Sequence, residues 1–145
     1  VENHTKRIWY LSGYKYQLAG DYVHQLAELR PEVDIASTSW FLDLTREGVL
    51  TVRKGYAWDG PSGPTVDTPD SMRGSLVHDA LYQLCREGWL SAELHRKLAD
   101  QEFHRLCLED GMNPVRAQVW YDALRLAGAS NAMPEKARAP VCAPR

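Results

Sequence analysis

Gly74-Ser75-Leu76-Val77-His78-Asp79-Ala80-Leu81-Tyr82 decides how this chain folds. Met72, Leu76, Val77, Leu81, Leu84 and Cys85 recur at helical spacing through this stretch, up to a C-terminal stop at Gly88. An adjacent His and Asp interrupt the apolar run, and each must find a partner or lose solvation. Tyr82 follows His78 by four residues and shares its face. Asp79 is turned by about 100° onto the neighbouring face. Asp70 or Ser71 is expected to cap this helix.

Two further helices follow. Ser91 caps the second, whose apolar stripe is Leu94, Leu98, Phe103, Leu106 and Cys107 and whose end is Asp110-Gly111. Asp100 precedes Phe103 by three residues and is expected to face inward beside the core. His104 lies four residues after Asp100, a spacing that reads as a surface contact. Pro114 opens the third helix, with Val115, Val119, Trp120, Ala123, Leu124 and Leu126 on its apolar side and Gly128 at its end. Residues 129–145 form an Ala/Pro-rich tail without a core pattern, expected to be disordered alone and ordered by a neighbour.

Upstream the pattern is β-like. Ile8-Trp9-Tyr10-Leu11 is a short apolar run, and Tyr14, Tyr16 and Leu18 alternate with polar neighbours. Tyr22 to Leu29 reads as a further strand or a short helical segment, ended by Pro31; His24 within it reads as a partly exposed strand or turn residue. Ser39–Thr45 and Val49–Arg53 read as two strands of a hairpin turned by Arg46-Glu47-Gly48. Residues 55–70 hold three Gly and three Pro, a loop that excludes regular structure and can turn several carbonyls inward. The expectation is one α+β domain over residues 1–128: an N-terminal β-hairpin or small antiparallel sheet over about 8–54, the Gly/Pro loop, and three α-helices over about 71–128.

Composition narrows the function classes. The 145 residues are 44% hydrophobic and 25% charged, with five Trp, seven Tyr and a net charge of −2, so no global basic field points to nucleic acid. No apolar run approaches a membrane span, and the first residues lack the apolar core of a secretory signal. Cys85, Cys107 and Cys142 have no C-x-x-C spacing; Cys85 and Cys107 read as buried thiols of a protein made in a reducing cytoplasm.

The pieces offer a chemistry. A histidine can activate water when a carboxylate holds its other ring nitrogen. A neighbouring aspartate and loop carbonyls can hold a hard cation that polarises an ester. His78 is the candidate base, Asp100 its orienting carboxylate, and Tyr82 a donor to Asp100. Asp79 is the candidate Ca²⁺ ligand, with the carbonyls around Trp58, Gly60 and Ser62. Asp59 adds a ligand or bonds the loop backbone in an Asx-turn. Trp58, Trp89 and Leu90 are candidates for lipid contact. A metal phosphohydrolase would need more ligands, for which His95 and His104 stand on solvated faces, and no zinc spacing supports a cell-wall hydrolase. The same His78, Asp79, Tyr82 and Asp100 could also form a purely stabilising buried cluster.

His78-Asp79-Ala80-Leu81-Tyr82 resembles the H-D-x-x-Y signature of phospholipase A2, in which the His activates water, the adjacent Asp binds Ca²⁺ and the Tyr supports a second Asp. The similarity spans about residues 55–110 and is closest to the phospholipase segment of parvovirus capsid proteins. That segment has a G-Y-x-x-x-G-P loop, here Gly55-Tyr56-Ala57-Trp58-Asp59-Gly60-Pro61, and an A-D-x-x-F stretch, here Ala99-Asp100-Gln101-Glu102-Phe103.

Over roughly residues 14–128 the chain also resembles a family of uncharacterised tailed-phage and prophage proteins. Their G-[FY]-x-x-D-x-x-S-x-P motif is met by Gly55, Tyr56, Asp59, Ser62 and Pro64. Their H-D-x-L-Y and A-D-x-x-F motifs are met by His78 to Tyr82 and Ala99 to Phe103, with Gly128 ending the last helix.

These resemblances imply a bacteriophage virion or tail protein, made in the bacterial host cytoplasm and then carried in the particle. Its implied partners are other phage structural proteins, which would order the tail 129–145, and a phospholipid membrane; no nucleic acid is expected. The implied activity is Ca²⁺-dependent hydrolysis of a lipid ester at infection. The alternative is a non-catalytic structural or tail-assembly component.

Overall fold

The computed structural model describes residues 7–11, 16–60, 68–128 and 132. Its strands are β1 (Tyr10–Leu11), β2 (Tyr16–Leu18), β3 (Tyr22–Gln25), β4 (Ile35–Ala36), β5 (Leu42–Leu44), β6 (Val49–Val52) and β7 (Ala57–Trp58). Three helices follow: α1 (Pro69–Arg86), α2 (Ala92–Glu109) and α3 (Pro114–Ala127). The fold is α+β, with small antiparallel sheets first and helices after, as the patterning implies.

The strands form two sheets, ordered β1-β2-β7 and β3-β6-β5-β4. The β5–β6 hairpin sets Leu42 opposite Val52 and Leu44 opposite Leu50, so that one face is wholly apolar. Gly48 turns this hairpin at φ 85°, and a Cβ there would lie 3.0 Å from the Leu29 carbonyl oxygen. Strand β3 lies on the other side of β6, with Tyr22 opposite Val52 and His24 opposite Leu50.

The two-residue period of β3 turns Tyr22 and His24 inward. His24 is therefore buried, not partly exposed as its local context suggested. The expected strand 39–45 shortens to Leu42–Leu44 because Trp40 takes a positive φ of 73°.

The Gly/Pro stretch also differs from expectation. Ala57-Trp58 forms β7, which pairs with β2 through Tyr16↔Trp58 and Gln17↔Ala57. Regular structure survives there because its partner strand lies about forty residues upstream, beyond any local composition rule. The far end of the loop is helical as well. Pro69 occupies the first turn of α1, Thr68 is the N-cap, and the Thr68 amide donates to Ser71 Oγ at 3.3 Å. Neither Asp70 nor Ser71 is the cap.

Helix α1 lies at the centre of the molecule, with Leu76, Val77, Ala80, Leu81 and Leu84 fully buried. It packs closely on α2: a Cβ on Gly74 would come 3.2 Å from both Cys107 Sγ and Phe103 Cδ1. A smaller cluster of Phe103, Cys107, Met112, Ala117 and Trp120 joins α2 to α3.

The third helix therefore presents Ala117, Trp120 and Leu124 to its neighbour: Trp120 and Leu124 of the expected stripe face inward, whereas its Val115, Val119 and Leu126 are exposed. Leu94, expected in the α2 stripe, is exposed too. The stops at Gly88, Asp110-Gly111 and Gly128 fall where the sequence places them. Of the tail 129–145 only Ala132 lies among the described residues, and it is buried against the main core.

Candidate active site

Two antiparallel helices and one helix end build the site. On α1, His78 and Tyr82 stand one turn apart, and their rings pack with centroids 4.1 Å apart, tilted by 37°. On α2, Asp100 faces them with no exposure at all. Its Oδ1 accepts from His78 Nε2 at 2.7 Å and from the Tyr82 hydroxyl at 2.6 Å. Phe103, three residues on, meets the imidazole edge-to-face at 5.6 Å. The spacing reading is met on each point: shared face for His78 and Tyr82, inward Asp100, and Tyr82 as its donor.

Sequence reasoning did not find the other half of the Asp100 cage. Arg125, in the last turn of α3, donates from Nη1 to Asp100 Oδ2 at 2.7 Å. Arg96 lies 3.6 Å from the same oxygen and donates to the Leu124 carbonyl at 3.2 Å, tying the end of α3 to the site. Gly128 makes this approach possible, since a Cβ there would lie 2.5 Å from the Tyr82 hydroxyl oxygen. An Arg in the last turn of a helix is ordinary in sequence, so only the Gly ending α3 gave a usable signal.

The charges follow from these contacts. Burial opposes ionisation of Asp100, but His78, Tyr82 and Arg125 outweigh it and hold its pKa below the ordinary carboxylate range. Burial likewise disfavours the His78 imidazolium, yet Asp100 and Asp79 raise its pKa above the usual value. Burial, and then Asp100, push the Tyr82 phenol up, so that it remains a donor.

Asp79 occupies the outer side of the imidazole. Its Oδ1 is 3.9 Å from His78 Nδ1, too far for a direct hydrogen bond. The Asp79 side chain is about a third exposed (34%). Burial raises its pKa, His78 and Arg86 offset part of that, and the charge of nearby Asp59 adds to it. Two carboxylates that repel one another suit a hard cation chemically. Among the described residues, however, no three His, Cys, Asp or Glu side chains are grouped as metal ligands. A cation here would depend on backbone oxygens.

The proposed loop ligands divide. Gly60 is buried, at φ 84°, and Asp59 is exposed. Ser62 lies outside the described residues. The Trp58 indole is buried, donates to Ser75 Oγ at 3.0 Å and packs against Tyr10 and Tyr16. Trp58 and Leu90 are each 3% exposed and cannot contact lipid, which leaves Trp89 of the three expected. His104 packs on the Tyr121 ring and His95 contacts the Ser91 carbonyl oxygen, so neither joins the site.

A second buried polar system was missed as well. His24 Nε2 lies 2.6 Å from Glu102 Oε2, and His24 Nδ1 lies 3.0 Å from the Tyr22 hydroxyl. Arg73 donates to that hydroxyl at 3.1 Å and to Glu109 at 2.7 Å. Arg105 closes the ring by reaching both Glu109 and Glu102. This ring clamps β3 to α1 and α2. No family model, curated protein or solved structure matches this chain.

Proposed function

We propose that this chain is a phage virion-associated protein whose His78-Asp79 site hydrolyses a lipid ester in a Ca²⁺-dependent, phospholipase A2-like manner. The observation that carries the reading is the division of the His78 ring. Nε2 is held by Asp100, and Nδ1 is left facing Asp79 across 3.9 Å. That is the arrangement a general base needs: one nitrogen oriented by a carboxylate, the other not spent on a direct hydrogen bond to Asp79.

In this reading His78 Nδ1 takes a proton from the attacking water and returns it to the departing alkoxide. Asp100, fixed by Tyr82 and Arg125, keeps the imidazole in one tautomer and stabilises its charged form. Ca²⁺, when bound by Asp79 with Asp59 and the carbonyls of Trp58, Gly60 and Ser62, would supply polarisation of the ester carbonyl. The resemblance to phage proteins suggests the virion as setting, and the resemblance to phospholipase A2 suggests the membrane.

A second reading has its own observation. His78 is 6% exposed and Asp100 is saturated by partners, as expected of a cluster that stabilises a structural or tail-assembly component. One experiment separates them: fatty-acid release from phospholipid vesicles, with Ca²⁺ and with chelator, for the wild type and His78→Ala. Ca²⁺-dependent release abolished by His78→Ala supports hydrolysis. No release from wild type under any condition, with a lowered melting temperature for His78→Ala, leaves the structural reading.

A further inference from the structure

Three polar residues of α1, Ser75, Asp79 and Gln83, recur every four positions and so follow one side of the helix. The outer two each hold an aromatic side chain from the segment that leads into the Gly/Pro loop. The Trp58 indole donates to Ser75 Oγ at 3.0 Å, and the Tyr56 hydroxyl donates to Gln83 Oε1 at 3.0 Å. Both aromatic rings are buried. Asp79 stands midway between the two bonds along the helix.

Neither bond is a loose surface contact. Ser75 is itself buried, and its hydroxyl donates onward to the Met72 carbonyl at 2.9 Å, which leaves its lone pairs to the indole N–H. Gln83 Nε2 donates to Glu87 Oε2 at 2.8 Å, and Glu87 in turn accepts from the Ser37 hydroxyl at 2.8 Å, so the amide is held with its oxygen toward Tyr56. Burial, and then the charge of Asp79, raise the Tyr56 pKa. The phenol therefore stays a donor and lies within the field of that carboxylate.

The consequence falls on the backbone that carries the two aromatics. Tyr56, Trp58 and Gly60 are buried, and Ala57 and Asp59 between them are exposed, the two-residue period of an extended segment. Among the described residues β7 is an edge strand with β2 on one side, so alternate carbonyls of this segment stay outside the ladder. Two anchors set two residues apart fix both the rotation of the strand about its axis and its height along α1. Without them the segment would have to be ordered as a cation binds, at a cost in affinity.

We propose that Ser75 and Gln83 are positioning residues for the cation half of the site, holding the 56–60 backbone over the turn of α1 that carries Asp79. The inference rests on the calcium reading above and adds to it the two residues that preorganise its backbone donors. The test is isothermal titration calorimetry with Ca²⁺ on the wild type, Ser75→Ala, Gln83→Leu, the double variant, and Gln83→Leu combined with Tyr56→Phe. Each is measured at a temperature where its thermal melt shows it folded. Leu44→Val, which shortens a buried side chain of the other sheet, is the destabilised control. Each single variant should weaken Ca²⁺ binding about fivefold, the net worth of one hydrogen bond, and the pair about twentyfold. Tyr56→Phe added to Gln83→Leu should weaken it little further, since both remove the same bond. Leu44→Val should bind as the wild type does. Wild-type affinity in Ser75→Ala and Gln83→Leu overturns the proposal, as does equal weakening in Leu44→Val. A wild type that binds no Ca²⁺ removes it together with the calcium reading. Ca²⁺ binding weakened as expected, in a protein that releases no fatty acid from vesicles, supports it and sinks hydrolysis alone.

Discussion

His24 and Glu102 meet at 2.6 Å across 78 positions of sequence, joining an inward-facing strand residue to the middle of α2. Burial disfavours the Glu102 carboxylate, but His24 and Arg105 outweigh it and bring its pKa from 4.5 down to about 2. A carboxylate depressed on folding stabilises the native state above its unfolded pKa and loses that contribution as pH falls toward the folded value. Urea unfolding between pH 4.5 and about 2 should therefore show a loss of about 3 kcal/mol from this group. Glu102→Gln should flatten that part of the profile; an unchanged slope would mean that other carboxylates govern acid unfolding.

Arg125 supplies the closest donor to Asp100 Oδ2, at 2.7 Å. Removing it leaves a fully buried carboxylate with Arg96 at 3.6 Å as the remaining cation. Arg125→Ala should destabilise the fold by roughly 2–4 kcal/mol in denaturant unfolding, as expected when one partner of a buried pair is deleted. Asp100→Asn combined with Arg125→Ala should cost less than the sum of the single changes, which a double-mutant cycle would read directly.

Gly128 has an ordinary φ of −79°, so any penalty for a side chain there is steric. The added methyl of Gly128→Ala would meet the Tyr82 hydroxyl oxygen at 2.5 Å and the Leu124 carbonyl oxygen at 2.6 Å. A loss of about 1–3 kcal/mol should follow from this overpacking. Tyr82→Phe in the same background should restore part of it by removing one of the two colliding oxygens, as thermal melts of the single and double variants would show.

Cys85 and Cys107 should be inert thiols. Burial pushes Cys85 up to about 11 and Cys107 up to about 12, which leaves almost no thiolate near neutral pH. Peptide mapping after alkylation at about pH 8 should find both unmodified in the native protein and fully modified in urea. Modification of Cys107 without denaturant would show that α2 and α3 separate locally, because that thiol lies in the cluster between them.

The helices and half of the site were legible because their signals are local. Ser91 accepts from the Leu94 amide as a cap should, and the spacings of His78 to Tyr82 and of Asp100 to Phe103 set which faces meet. What escaped depends on distant partners. Ala57-Trp58 looks like part of a Gly/Pro loop until Tyr16-Gln17 lies beside it. His24 looks half-exposed until Glu102 reaches it, and nothing near Arg125 announces a buried aspartate on another helix. The apolar stripe assigned to α3 failed in part for a related reason: Val115, Val119 and Leu126 are as hydrophobic as a buried face, and packing, not composition, chose Ala117 beside the expected Trp120 and Leu124.

The nesting of the sheets has a consequence for the order of folding. The β2–β7 pair encloses the whole β3–β6 segment, so closing it directly from the unfolded chain would gather a loop of roughly forty residues. Once Tyr22 has paired with Val52, the gap still to be closed shrinks to roughly ten residues, which lowers the entropic cost of closure by about 1 kcal/mol. The inner sheet thus acts as a template that makes a distant pairing nearly local. A lesion in the β5–β6 hairpin should delay formation of the β2–β7 pair, although the two ladders share no strand.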